Sequence, residues 1–317
     1  MFKRNCWILS DNLIGHEKQS ISLAEKLNIN YKIIKIKKLN FIERKFSFFF
    51  NLKKKNFFKS PFPKLIISCG KHTAYYSKLI KKKLNEEIFS IFIQKPPINI
   101  NNFDLVIVPK HDNCKGSNII ETQGALTKIN FEYIKRINKK KKKPNILKKT
   151  FISVLIGGNS RHHKITRSIL DQIINKLNLI QKKNKIKIFI LFSRRTIKND
   201  YLYLKKNLLN KNFVFILPES KKVSYLDALS FAKAIIVTSD SVSMVTESCS
   251  TGKPTYIIDI PTKSKKFSLF IKNLIDLKLA YYLKDSISLK NRKKALNDID
   301  EVVKKIKKKL RFNYEKL

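Results

Sequence analysis

Short apolar runs alternate with helix-spaced apolar positions along most of the chain. "NCWILSD" (5–11) is an apolar run closed by polar residues, and "HEKQSISLAEKL" (16–27) sets Ile21, Ala24 and Leu27 on one helix face. "YKIIKIKKL" (31–39) and "KLIISCG" (64–70) read as strands, and "TAYYSKLIKKKL" (73–84) as a helix. "IFSIFIQ" (88–94), "FDLVIVPK" (103–110) and "NIIETQG" (118–124) add three short strands. The pattern restarts with strand "FISVLIGGNS" (151–160), helix 164–183, strand "KIKIFILFS" (185–193) and helix 200–209. Strand "FVFILP" (213–218), helix 224–232, strand "AIIVTSD" (234–240), a helix, and strand "PTYIIDI" (254–260) follow. Helices over 266–277 and about 287–310 complete the chain.

Strands alternating with helices of this length predict parallel sheets joined by right-handed crossovers. Between the two runs lies "KRINKKKKKPNILKK" (135–149), with five consecutive lysines before a proline. Charges this dense repel, so the stretch reads as a linker. The expected class is α/β, two Rossmann-like domains facing a cleft, with parallel sheets flanked by helices. The expected boundaries are 1–138, a Lys-rich linker over 139–150, and 151–317 with the charged C-terminal helix in the second domain. Ligands of open α/β sheets bind beyond the carboxyl ends of strands, which directs attention to those ends.

Composition changes this picture little. Among 317 residues, 43% are hydrophobic, which suffices for two cores despite a formal charge of +45. Of the 68 basic residues, 59 are Lys and 9 are Arg, beside heavy use of Ile and Asn. An A/T-rich coding bias accounts for that mixture without selection for a basic surface. Arginine, the better reader of phosphates and bases, is scarce, which argues against a specific nucleic-acid partner. An anionic membrane surface fits the charge. The four cysteines (Cys6, Cys69, Cys114, Cys249) have no metal-ligand spacing and read as reduced thiols, so no metal is expected. No secretion leader and no run near the ~20 apolar residues of a membrane span stand out, so a cytoplasmic protein is expected, with peripheral association at the inner membrane.

Polar residues collect at the strand ends. Gly157-Gly158 make either a tight turn or a backbone cradle for phosphate. Arg194 and Arg195 follow the next strand, either as a surface pair or aimed at phosphate. In "VTSDSVSMVTESCSTGKPTYIID" (237–259) a strand runs out at Ser239, Ser241 or Ser243 caps a helix, and Glu247 lies within it. That is either an ordinary capped crossover or an anion site at a helix start, with a carboxylate placed for ribose hydroxyls. In the first half, Gly15-His16 sit at the first strand-to-helix turn, where His16 could act as a general base. Lys71, His72, His111 and Asp112 also follow apolar strands.

The blocks "SDNLIGHEKQSISLAEKL", "PKLIISCGKHTA", "FDLVIVPKHDN", "ETQGALTKIN", "VLIGGNS", "LFSRRT" and "VTSDSVSMVTESCSTGKPTYI" occur in this order. Together they resemble the mitochondrial-fission "elongated mitochondria" (ELM) family, in its bacterial form, over roughly residues 6–275. The family is similar in architecture to GT-B glycosyltransferases. The resemblance implies a nucleotide-sugar site mainly in the second domain. Ser239, Ser241, Ser243 and Glu247 match the donor-holding turn and helix of undecaprenyl-linked N-acetylglucosaminyltransferases. Gly157 and Gly158 match their glycine loop, and Gly15-His16 loosely match the acceptor-side loop. It further implies sugar transfer from a nucleotide-sugar donor, without metal or other cofactor, to a lipid-linked or envelope-glycan acceptor at the cytoplasmic membrane face. Arg194 would meet phosphate charge and His16 would serve as acceptor base. A non-catalytic, membrane-associated recruiting protein and a nucleotide-sugar epimerase, with His111 and Asp112 about the sugar ring, are the alternatives. "FIERKFSFFFNLKKKNFFKSPFPK" (41–64) interleaves eight Phe with Lys and Arg, and Phe48, Phe49 and Phe50 are the expected membrane contacts.

Overall fold

A computed structural model describes residues 6–40, 62–84, 88–208, 211–218, 223–290 and 294–314. The expected membrane contacts Phe48, Phe49 and Phe50 lie outside the described residues. The chain divides into two compact units: Met1–Lys128 with Asp298–Leu317, and Ile129–Asn297.

The first unit holds β1 (Cys6–Ser10), α1 (Ile14–Leu27), β2 (Tyr31–Lys35), β3 (Leu65–Cys69), α2 (Lys71–Lys83), β4 (Phe89–Ile93), β5 (Leu105–Pro109) and β6 (Ile119–Thr122). Its sheet is wholly parallel, in the order β2-β1-β3-β4-β5-β6. β1, β3 and β5 are buried along their whole length, which is why they read as continuous apolar runs rather than alternating ones. Ile8, Ile67 and Ile91 face one apolar cluster with Leu23 and Leu27 of α1, while Trp7, Leu9 and Ile66 face another with Tyr76 and Ile80 of α2. β2 stops at Lys35, four residues short of the expected strand.

The second unit holds α3 (Phe131–Lys140), β7 (Phe151–Ile156), α4 (Arg167–Asn184), β8 (Lys187–Phe192), α5 (Lys198–Asn207), β9 (Phe213–Ile216) and α6 (Tyr225–Phe231). β10 (Ala234–Thr238), α7 (Val242–Ser250), β11 (Thr255–Ile258), α8 (Lys265–Asp276) and β12 (Tyr281–Tyr282) complete it. Its parallel sheet runs β12-β11-β10-β7-β8-β9. The order of strands reverses between β1 and β3 in the first sheet and between β7 and β10 in the second. Such reversals open a crevice at the carboxyl ends of the strands.

Two expectations about domain boundaries change. The Lys-rich stretch is not a spacer but part of the second unit. Ile134 and Leu147 enter its core, Asn138 donates to the Ser230 carbonyl at 3.1 Å, and Lys141 pairs with Asp227 at 2.6 Å. Lysine heads can stay in water while their neighbours bury apolar groups, so charge density alone does not prevent packing. The charged C-terminal helix, α9 (Asp298–Tyr314), belongs to the first unit. Its residues Ile299, Val302, Val303 and Ile306 share one face and join the cluster of Ile8, Leu23 and Leu27. The Asp298 carboxylate accepts from the Gln123 and Gly124 amides at 3.0 and 2.8 Å, fixing the helix start. This helix begins at Asp298, eleven residues later than its expected start.

Candidate functional site

Each switch point carries a polar cluster. In the second unit it is built from the ends of β7, β8 and β10. The Gly157 amide donates to Thr238 Oγ1 at 2.8 Å, and that hydroxyl donates to Asp240 Oδ1 at 2.6 Å. The Gly158 amide donates to Asp240 Oδ2 at 3.1 Å. Arg195 closes the cluster through Nη2 to Asp240 Oδ2 at 2.6 Å and Nη1 to the Gly158 carbonyl at 3.1 Å. The Asp240 carboxylate is fully buried, whereas Arg195 keeps part of its side chain in solvent.

This geometry explains both glycines. A Cβ on Gly157 would lie 2.1 Å from each Asp240 oxygen, and one on Gly158 would lie 2.1 Å from the Arg195 carbonyl oxygen. The close approach is thus made first by the protein's own groups, and both loop amides already have acceptors. The turn after β8 selects the arginine. The Arg195 amide donates to Ser193 Oγ and the Ser193 amide to Thr196 Oγ1, so Arg195 turns inward while Arg194 is exposed.

Ser239 is structural: its hydroxyl donates to Asp259 Oδ1 at 3.1 Å and accepts from the Ile260 amide at 2.8 Å, tying β10 to the end of β11. Ser241 caps α7, accepting from the Met244 amide at 3.4 Å, and Ser243 is half-exposed in the first turn. Glu247 accepts from the Tyr225 hydroxyl at 2.6 Å. Burial, then the nearby Glu247 charge, pushes the Tyr225 phenol well above its usual range, so it keeps its proton and remains a donor.

His163 belongs to the same neighbourhood. It is 2% exposed, packs edge-on against Phe267 at 4.6 Å, and its Nε2 has no hydrogen-bond partner among the described residues. Burial lowers its basicity, and the opposing pull of Asp240 and Asp259 does not restore it, so the ring stays neutral.

In the first unit, His16 Nδ1 lies 3.0 and 3.2 Å from the two oxygens of Asp11. The Asp11 carboxyl is 2% exposed and the imidazole 24%. Burial raises the Asp11 pKa, but the hydrogen bond and charge of His16 and the Leu13 amide outweigh it, and the net shift is downward. The carboxylate therefore orients the ring through Nδ1 and leaves Nε2 for other partners. Gly70, at the end of β3 with φ +97°, makes room: a Cβ there would lie 2.3 Å from His16 Nδ1 and 2.6 Å from Asp11 Oδ2.

Gly15 does not mark a tight turn. It is the second residue of α1 and a Cβ there would meet nothing within 4 Å. Lys71 is exposed at the start of α2, beside the switch point. His72 Nδ1 accepts the Leu39 amide at 3.1 Å, which assigns it a structural contact. His111 and Asp112 lie in a short turn after β5, separated from β1 by β3 and β4, and do not join the Asp11–His16 pair. The sequence reading passed over Asp11, Asp240 and His163, and of the Arg194-Arg195 pair it chose Arg194 for the site. Asp11 and Asp240 end apolar runs, a signal present in the sequence; Asp11 meets His16 five residues on, whereas Gly158 and Arg195 reach Asp240 through the sheet order. No group of three or more His, Cys, Asp or Glu among the described residues could hold a metal ion.

Two parallel six-stranded sheets flanked by helices, each with its polar cluster at the strand reversal, define a GT-B-like protein. UDP-GlcNAc 2-epimerase from Methanocaldococcus jannaschii shares the fold, with a TM-score of 0.56 and 14% identity over 97% of this chain and 99% of that one. MurG of Acinetobacter baumannii shares it with a TM-score of 0.54 and 12% identity over 96% and 99%. The chain belongs to the family described as Mitochondrial fission ELM1, whose model matches residues 14–310. An uncharacterised protein of Rickettsia prowazekii is 30% identical over 98% of this chain and 99% of its own length. Mitochondrial fission protein ELM1 of Arabidopsis thaliana is 24% identical over 67% of this chain and 55% of its own length.

Proposed function

We propose that this protein is a metal-independent glycosyltransferase that takes a sugar from a nucleoside-diphosphate sugar and passes it to a lipid-linked or envelope-glycan acceptor at a membrane face. The observation that carries the reading is the end of β10: a Ser241-capped helix start, with the Glu247 carboxyl held in place by the Tyr225 hydroxyl one and a half turns further in. Free amides at a helix start favour the diphosphate, and the carboxylate favours vicinal ribose hydroxyls. Arg195, rather than Arg194, is the guanidinium set beside that turn. Transfer breaks the bond between the anomeric carbon and the phosphate oxygen and forms one to an acceptor oxygen. His16, oriented by Asp11, takes the acceptor's proton.

Thermal stability in the presence of UDP, UDP-GlcNAc and other nucleotide sugars tests the donor half. A ligand that binds only the native state raises the melting temperature by mass action. The wild type is expected to shift and Glu247→Ala to lose the shift. No shift in either protein refutes donor binding.

The fold shared with UDP-GlcNAc 2-epimerases favours a second reading, interconversion of the donor itself. Product analysis separates the two: free nucleotide and transferred or hydrolysed sugar for the transferase, an isomeric nucleotide sugar for the epimerase. Membrane association is a separate part of the proposal. No helix among the described residues is long and apolar enough to cross a membrane. Co-sedimentation with anionic vesicles that survives high salt is expected; loss at high salt would indicate charge without insertion.

A further inference from the structure

The opposite pole of the second sheet holds charge that the proposed chemistry does not use. β7, β10 and β11 are neighbours and begin side by side: the Lys233 amide donates to the Phe151 carbonyl at 2.9 Å and the Ile235 amide to the Pro254 carbonyl at 2.8 Å. Lys233 immediately precedes β10 and Lys253 immediately precedes β11. Lys143 Nζ lies 5.6 Å from the ring of Phe151, the first residue of β7, and 6.0 Å from that of Phe231. Lys233 and Lys253 therefore enter the sheet at one edge, which the Lys143 ammonium also reaches.

Their surroundings are unusual for lysine. Lys253 is only partly exposed, and the charges that act on it are Lys233 and Lys143 rather than a carboxylate. Burial, then those two lysines, lowers its pKa from 10.5 to about 8. Lys143 is lowered in the same way by burial and Lys233. Asp227 on the adjacent α6 is taken by Lys141 at 2.6 Å and by the Ser224 amide. Lys143 and Lys253 are partly buried with no carboxylate paired to them among the described residues, and a single multivalent anion bridging them and the exposed Lys233 would offset that cost.

We propose that Lys143, Lys233 and Lys253 form an anion site at the amino-terminal edge of the second sheet, for a phosphate group carried either free as a polyphosphate or on a lipid headgroup. It lies at the end of the sheet opposite Asp240 and the Ser241-capped helix start and does not depend on the donor site.

The test is acetylation of the full-length protein by an N-hydroxysuccinimide ester, followed lysine by lysine by mass spectrometry, with and without pyrophosphate at matched ionic strength. Only the uncharged amine reacts. Pairing with pyrophosphate restores basicity by about one pKa unit, so Lys253 labelling is expected to slow about tenfold. Labelling of exposed Lys205 is expected to be unchanged. Lys233→Gln, at an exposed position, is expected to lose most of that protection, whereas Glu247→Ala keeps it. Vesicles containing phosphatidic acid, compared with phosphatidylcholine alone, form the lipid arm; protection there but not with pyrophosphate assigns the headgroup as the source. Absence of protection in both arms, equal slowing at Lys205, or full protection in Lys233→Gln overturns the proposal.

Discussion

Replacing Lys253 by Met should stabilise the protein at neutral pH, by an amount that the structure sets. Unfolded, this amine binds its proton near 10.5; folded, near about 8. Between those values the unfolded chain holds a proton that the native chain has released. Native stability therefore rises with pH across that window, by roughly 3 kcal/mol in all for this group. Below about pH 8 both states are protonated, and the folded protein carries the whole cost of a desolvated cation beside Lys233 and Lys143. Methionine has similar length and no charge, so Lys253→Met should exceed the wild type by roughly 3 kcal/mol at pH 7, with the gap closing as pH approaches 10.5. Urea unfolding followed by far-UV circular dichroism at pH 7 and pH 10 measures it; the remaining lysines cancel in the difference between the two proteins. Trp7 fluorescence is the wrong probe, because the single tryptophan is in the first sheet. Equal stability at pH 7, or a gap of the same size at both pH values, would refute the reasoning.

Three further outcomes follow from the switch points. Gly157→Ala places a methyl 2.1 Å from both Asp240 oxygens and should cost about 2–3 kcal/mol in unfolding experiments, with no compensating rotamer available to a buried carboxylate. Tyr225→Phe removes the donor that holds Glu247 and should weaken nucleotide-sugar binding about tenfold by calorimetry, with little change in fold. Asp11→Asn leaves the packing near Gly70 but no longer orients His16 through a carboxylate; turnover should fall about 10²-fold while the thermal shift with donor is retained.

Much of the fold was legible because parallel strands buried on both faces leave unbroken apolar runs, as in "LIISC" and "LVIVP", each flanked by helix-spaced segments. The family resemblance was legible for the same reason, since its blocks are those strand ends. A serine cap for α7, at Ser241 or Ser243, was readable from local chemistry, and the structure places it at Ser241. Pairings across strands were not. Nothing local says that Thr238, two residues from Asp240, will take the amide of Gly157, or that Asp240 is the carboxylate Arg195 will meet; both depend on β7 lying between β8 and β10. The boundaries were missed for another reason. Lysine runs look like solvated spacers when charge is counted alone, yet Ile134 and Leu147 on either side of the run carry the packing information.

The return of α9 to the first unit has a consequence for how the chain is made. Residues 6–122 supply all six strands of the first sheet, and they leave the ribosome first. One wall of their core still waits for Ile299, Val302, Val303 and Ile306. The second unit, with all its parts between Ile129 and Asn297, is therefore the earlier of the two to be complete. At synthesis rates of about 5–20 residues per second, the face around Leu23 and Leu27 stays uncovered for roughly ten seconds or more. Order of translation and order of completion are inverted, and the nascent first unit is the stretch on which a chaperone would act.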